Sequence, residues 1–166
     1  MSRKREQNLN VIYKEWVGQG DLTRLMFMIP IVVLVIVNVI LIVSNNSGSN
    51  GVLVGVSIGA ILILGGIYWN FRGIAICVTR DKIEVRYGIF NRIQISSSAI
   101  EGYSEDEVTF KRYLGLGIRI GIDGSYCYST FFGRAVRVNR KDLRSFVVSS
   151  RAPDDFLAAL EEISKV

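Results

Sequence analysis

The chain has no histidine, and its 166 residues include only two cysteines and two prolines. Without histidine, a Ser-His-Asp or Cys-His nucleophile, an imidazole metal ligand and an imidazole proton shuttle are excluded. Cys77 and Cys127 lie far apart with no CxxC spacing, so we predict free buried cysteines and no zinc site. No carboxylate pair recurs at a recognisable spacing, and the serines at 96–98 have no neighbouring base. We expect no enzyme activity and no cofactor.

Charged residues are absent from Leu25 to Phe71, although they make up 21% of the whole chain. Within this segment, the apolar runs 25–43 and 51–69 are joined by a short polar turn. About 20 apolar residues in a helix cross a hydrocarbon core of about 30 Å. We therefore predict a transmembrane helical hairpin at 25–71, between an N-terminal segment at 1–24 and a folded aqueous domain at 73–166.

Positive charges flank the hairpin and are missing from its turn. Arg24 precedes the first run, and Arg72 follows the second. The positive-inside rule then predicts a multi-pass protein of the cell membrane, with both termini in the cytoplasm and the turn outside. Tyr68 and Trp69, next to Arg72, are typical of the aromatic belt at a membrane interface.

Two features inside the hairpin predict helix packing. Gly51, Gly55 and Gly59 form a ladder on one helix face, where small residues let two helices approach closely. This glycine ladder could form a homodimer seam or pack against the first span of the same chain, and the short turn favours the second interpretation. Asn38 is costly if it faces lipid, so we expect it to bond a backbone carbonyl or a partner helix, with Ser57 as a candidate.

The domain after the hairpin has the alternating pattern of β-strands. Seven or eight short strands are predicted, all antiparallel because their connections are short, with Asp123-Gly124 as a hairpin turn. Pro153 is suited to the first position of a C-terminal helix, whose apolar stripe includes Phe156 and Leu160. The predicted class is α+β, and this helix is expected to cover the open end of a small sheet.

The order of strands followed by one closing helix resembles the pleckstrin-homology (PH) architecture. Residues 113–119 (YLGLGIR) resemble the aromatic-Gly-x-Gly-Ile-Arg element of prokaryotic PH-like domains. Residues 132–138 (FGRAVRV) are similar to the strand that follows, and 152–160 (APDDFLAAL) to the closing helix. The resemblance spans about residues 73–163. It implies a PH-like antiparallel β-barrel or sandwich with a capping helix, a membrane hairpin ahead of it, and a cytoplasmic binding or assembly role with no catalytic residues.

Two kinds of partner follow from this interpretation. The first is a protein that docks on an edge strand or helix groove, which makes the chain a membrane-anchored binding module. The alternative is a sensor of anionic lipid headgroups, because a basic cluster could contact an anionic leaflet. We define the basic cluster as Arg134, Arg137, Arg140, Lys141 and Arg144. A solvated strand face explains the same residues without a ligand. Nucleic acid binding is not expected, because Tyr126, Tyr128 and Phe131 are better explained as core residues.

Overall fold

The computed structural model describes residues 11–43, 50–141 and 143–164, and its elements confirm the predicted α+β class. In chain order they are β1 (Val11–Gly18), α1 (Asp21–Val43), α2 (Asn50–Asn70), β2 (Gly73–Thr79), β3 (Lys82–Tyr87), β4 (Asn91–Ser96), a 3-10 turn (Ser97–Ala99), β5 (Ile100–Val108), α3 (Phe110–Tyr113), β6 (Gly117–Ile120), β7 (Tyr126–Ser129), β8 (Gly133–Arg140), β9 (Leu143–Ser149) and α4 (Pro153–Ser164). The polar turn predicted between the two apolar runs lies largely outside the described residues.

The helices α1 and α2 coincide with the two predicted spans. Each is long and apolar enough to cross a membrane, and at most 6% of the residues in either apolar window are buried. The core helix of a soluble protein would instead be buried, because large apolar surfaces are rarely left in water. Asp21 in the first turn of α1 complements the positive end of the helix dipole.

The strands form two sheets that do not close into a barrel. Sheet A has the order β1-β2-β3-β4 and is antiparallel throughout. Sheet B has the order β5-β8-β9-β7-β6, and β7 runs parallel to β9, with Tyr126 opposite Phe146. The prediction that every strand pair is antiparallel was therefore wrong. The chain passes from β7 to β8 without pairing them, so the β8–β9 hairpin places β9 beside β7.

One hydrophobic core joins both sheets and the C-terminal helix. Ile76 of sheet A, Phe146 of sheet B and Leu160 of α4 are fully buried in the same cluster. The ring of Tyr13 in β1 stacks on Phe156 of α4 with centroids 5.4 Å apart. The predicted closing helix is thus present, and it contacts side chains of both sheets.

The strand β1 was not predicted from the sequence. Segment 1–24 was assigned as separate from a domain beginning at residue 73, but Val11–Gly18 is the edge strand of sheet A. Gly18 pairs with Gly73, and Val17 is fully buried in the core. The folded domain therefore includes residues on both sides of the hairpin, and the hairpin occupies the connection between two neighbouring strands.

Candidate membrane-proximal binding site

Two short connections join the hairpin to sheet A. Gln19 and Gly20 lead from β1 into α1, while Phe71 and Arg72 lead from α2 into β2. The Gln19 N–H donates to the Arg72 carbonyl at 3.1 Å, and its side-chain Nε2 donates to the Phe71 carbonyl at 2.9 Å. The Gly20 N–H donates to the Thr130 carbonyl at 3.0 Å, which ties the start of α1 to sheet B as well. The hairpin is therefore held to the domain by hydrogen bonds.

Trp16 packs closely over the strand that follows the hairpin. A Cβ atom on Gly73 would lie 2.6 Å from the Trp16 ring and 2.9 Å from the Val17 carbonyl oxygen. Only glycine leaves room for the indole at this position. The ring therefore lies next to Arg72, close to the end of α2.

A cavity of about 300 Å³ opens at this junction, and we call it the collar cavity. Its lining residues are Trp16, Gly18, Gln19, Arg24, Tyr68 and Arg72. The Arg72 guanidinium carbon lies 4.4 Å from the Trp69 ring centroid and 5.8 Å from that of Trp16. Among the described residues, no carboxylate lies within ion-pair distance of Arg72. The nearest acid to Arg24 is Asp21 at 3.9 Å, and both of these side chains are exposed.

Gln19 forms part of the cavity wall, and only one end of its side-chain amide is hydrogen-bonded within the described residues. Nε2 donates to a backbone carbonyl, but the buried Oε1 atom has no hydrogen-bond partner in the described part of the chain. Buried polar atoms in proteins are normally paired, and an unpaired one calls for an explanation. The collar cavity thus combines two arginines with aromatic walls, and Gln19 beside them keeps one buried acceptor without a partner among the described residues.

The turn between β3 and β4 lies against the end of α2. The Ile89 N–H donates to Asn70 Oδ1 at 2.9 Å. Gly88 adopts φ 71°, and a Cβ there would collide with the Asn70 backbone, so glycine is required. Ile89 and Phe90 are 73% and 83% exposed. Two large apolar side chains therefore stand free beside the hairpin.

The polar pair expected inside the hairpin is present. Ser57 donates its hydroxyl to Asn38 Oδ1 at 2.9 Å, while Asn38 Nδ2 donates to the Leu34 carbonyl at 2.8 Å. Asn38 is only 8% exposed. The bond links α1 to α2 well inside both helices, where an unpaired amide would be costly in lipid.

The glycine ladder does not pack against α1. A Cβ atom added to Gly51, Gly55 or Gly59 would meet no atom of the described residues within 4 Å. The interpretation favoured by the short turn, packing within the chain, is therefore not observed. The homodimer seam stays a prediction.

The basic cluster is divided in the structure, and its first two members are paired with acids. Arg134 Nε lies 2.8 Å from Glu105, and Arg134 NH2 lies 3.0 Å from Asp154. Hydrogen bonds to these two carboxylates raise the pKa of Arg134. Arg137 contacts Asp106 at 2.8 Å and Asp123 at 2.7 Å. Much of the charge offered to a lipid surface is therefore already neutralised.

The other three members lie at the far end of β8. Arg140 donates to the Arg144 carbonyl at 2.9 and 2.7 Å, and Lys141 donates to the Ser98 carbonyl at 3.1 Å. The Arg144 guanidinium lies over the Tyr126 ring at 5.7 Å. At about 3.3 Å per residue, Arg140 stands roughly 23 Å along β8 from Gly133, where the strand begins near the hairpin connection. The five cations do not form one surface at the junction.

Arg112 completes a charge network that the sequence did not reveal. Like Arg137, it contacts both Asp106 and Asp123, so two arginines alternate with two aspartates. Burial alone would raise the pKa of Asp123, but hydrogen bonds from Ser125 and the charge of Arg112 lower it below the usual value. Asp106 and Arg137 meet because β5 pairs with β8, while Arg112 comes from α3 and Asp123 from the turn before β7. No local sequence pattern predicts that these four residues come together.

Strand β6 offers an unpaired edge of sheet B. Among the described strands it pairs only with β7. Ile120 at its end is 56% exposed, and Ile122 just beyond is 80% exposed. Gly115 just before the strand and Gly117 at its first position adopt φ values of 144° and 99°, so a backbone conformation that favours glycine accounts for the Gly-x-Gly element.

Comparison of the chain with protein-family models, with curated proteins and with solved structures finds no match. The PH-like resemblance therefore stays a prediction that rests on the residues of the segments 113–119, 132–138 and 152–160. In the structure these segments cover the turn from α3 into β6, most of β8, and the start of α4.

Proposed function

We propose that this protein is a membrane-anchored, PH-like binding module that docks a protein partner at the cytoplasmic face of the cell membrane. Anchoring is supported by α1 and α2, whose apolar surfaces are left uncovered by the chain. The PH-like assignment is supported by two sheets and a C-terminal helix that share one core. A binding role, and not catalysis, fits a sequence without histidine or a recognisable catalytic constellation.

The pairing of β1 with β2 constrains the topology of the proposed hairpin. Two paired strands lie on the same side of any membrane that the intervening hairpin crosses. Arg24 and Arg72 flank the helices on that side, and the positive-inside rule assigns it to the cytoplasm. The domain is thus proposed to be held directly at the inner membrane surface, where tethering raises its effective concentration toward other membrane proteins.

The observation that carries the docking proposal is the edge strand β6. Its free backbone groups can accept an extended segment of a partner as a further strand, and exposed side chains then provide selectivity. Ile118 and Ile120 are exposed along this edge, and Ile122 continues the apolar strip. An edge of this kind is normally protected by charge or cover, so its apolar character favours a partner.

Co-purification of the full chain in mild detergent from its own cells tests this function. We expect a specific protein to accompany the wild type and to be lost with Ile120→Asp. Leu143→Asp is the matched control, because Leu143 is also an exposed apolar residue of sheet B but lies at the start of β9. Recovery of the same partner with all three proteins would contradict docking at β6, provided that unfolding temperatures are unchanged.

A further inference from the structure

We propose that the collar cavity binds the phosphate group of an anionic membrane phospholipid, with Arg24 and Arg72 as the cationic ligands. The proposal rests on the proposed function in one respect, since it requires the hairpin to cross a membrane. It assigns lipid recognition to the junction between hairpin and domain, and not to the basic cluster.

The position of the cavity selects a lipid as the occupant. Arg24 lies near the start of α1 and Tyr68 near the end of α2, so both flank the ends of the apolar helices. Phospholipid phosphates lie at this depth in a membrane, just outside the hydrocarbon. Leu22 and Leu25 are exposed on α1 beside Arg24, where they can contact the acyl chains of the same lipid.

The charge in the cavity selects an anion. Arg72 lies within 6 Å of two indole ring centroids and has no acid partner among the described residues, while Arg24 forms an exposed ion pair with Asp21 at 3.9 Å. A guanidinium presents a planar fork of donors that matches phosphate oxygens. The aromatic walls hold the Arg72 guanidinium in place before any ligand arrives, which reduces the entropy lost on binding.

The remaining groups fit a small headgroup. A volume of about 300 Å³ is at the lower end of small-molecule sites, which span roughly 300–1,000 Å³. Ile89 and Phe90, on the turn bound to Asn70, would reach the same membrane surface and keep the domain close to it.

The two tryptophans provide a direct probe, because Trp16 and Trp69 are the only ones in the chain and both contact Arg72. The purified full chain would be reconstituted in phosphatidylcholine vesicles. A small, equal fraction of either phosphatidylglycerol or phosphatidylcholine, brominated near the carbonyl end of its acyl chains, would then be added as quencher. We expect the brominated phosphatidylglycerol to quench tryptophan fluorescence much more strongly than its phosphatidylcholine counterpart.

Variants locate the effect in the collar cavity. Since each basic residue near an anionic surface contributes about 1 kcal/mol, Arg72→Gln should weaken the preference for phosphatidylglycerol about 5-fold, and Arg24→Gln similarly. Arg72→Lys keeps the charge but loses the planar fork that stacks on the rings, so it should restore only part of the preference. Arg140→Gln with Lys141→Gln is the matched control at the far end of β8 and should leave it unchanged.

The outcomes separate the possible sources of binding. Equal quenching by both lipids would overturn the proposed headgroup site but would still agree with a hairpin inserted in the membrane. Loss of the preference with Arg140→Gln and Lys141→Gln, but not with Arg72→Gln, would place recognition at the basic cluster and overturn the proposal. Loss of the preference on adding soluble glycerol phosphate at low millimolar concentration would identify a free phosphate ester as the ligand. No quenching by either lipid would show that the hairpin is not in the bilayer, which contradicts the proposed function itself.

Discussion

Gly18 and Gly73 stand opposite each other in antiparallel register, although the whole helical hairpin separates them in the chain. The hairpin thus replaces what would be a tight turn between two strands of sheet A. The Gln19 N–H continues the pairing to the Arg72 carbonyl, up to the ends of the helices. The ends of α1 and α2 are therefore joined to the sheet by short connections that continue its backbone hydrogen bonding.

The domain should not fold stably from residue 73 onward. A fragment 73–166 lacks β1 and so loses the buried Val17, the stacking of Tyr13 on Phe156, and the hydrogen bonds that Glu15 accepts from Ser150 and the Arg151 N–H. Fully burying one aliphatic side chain contributes about 1.5–3 kcal/mol, so the total loss is a large part of a small domain's stability.

Restoring β1 without the hairpin is the matched control for that fragment. An Asn-Gly turn in place of residues 19–72 should join Gly18 to Gly73, because a two-residue turn suits adjacent antiparallel strands. We expect cooperative thermal unfolding by circular dichroism for the joined protein only. Equal unfolding temperatures for both proteins would show that β1 is dispensable.

The Asp123 network should make stability depend on acid. The pKa of Asp123 is lower in the folded protein than in the unfolded chain, where it is about 3.9. The ionised carboxylate therefore stabilises the fold above about pH 3.9, and this stabilisation is lost as the pH falls through the lower folded-state pKa. Asp123→Asn should therefore be less stable than the wild type at neutral pH, and the difference should shrink below about pH 4. Denaturant unfolding of both proteins across this pH range measures the difference in their free energies of unfolding. A pH-independent difference would exclude the carboxylate's charge as the cause.

The two cysteines should differ in their reactivity toward alkylating reagents because Cys127 is fully buried and Cys77 is only half-buried. Cys127 is fully buried, and burial raises its pKa to about 12. Burial also raises the pKa of Cys77, but that side chain is half-buried and within reach of solvent. At neutral pH a maleimide should modify Cys77 slowly and Cys127 only after denaturation. Mass spectrometry of the labelled peptides distinguishes the two, and equal labelling of the folded protein would contradict the register of β2 and β7.

The sequence predicted the features whose cause is local. Charge-free runs indicated α1 and α2, alternation indicated most strands, and the similar depth of Asn38 and Ser57 indicated their hydrogen bond. Strand β1 was missed because its residues alternate poorly and stand next to a span, and because its partner β2 follows the hairpin. Arg137 was assigned to a free basic cluster because its acidic partners are distant in the sequence. Asp106 belongs to β5, and Asp123 to the turn before β7.

A disulfide between β1 and β2 tests the central claim, that the hairpin is inserted between two paired strands. Lys14 lies opposite the native Cys77, and directly opposed residues have Cα atoms about 4.5–5.5 Å apart, within disulfide range. Lys14→Cys in the full chain should therefore form an intramolecular bond to Cys77 on oxidation with copper phenanthroline. Lys111→Cys, exposed on α3, is the control and should not.

Mass spectrometry of the digested protein gives the decisive reading, because it identifies which peptides are joined. The account predicts a linked pair that contains residues 14 and 77 and disappears on reduction. If the Lys14→Cys protein shows no such pair while both thiols remain open to alkylation, β1 is not paired with β2 and the insertion of the hairpin into sheet A is refuted.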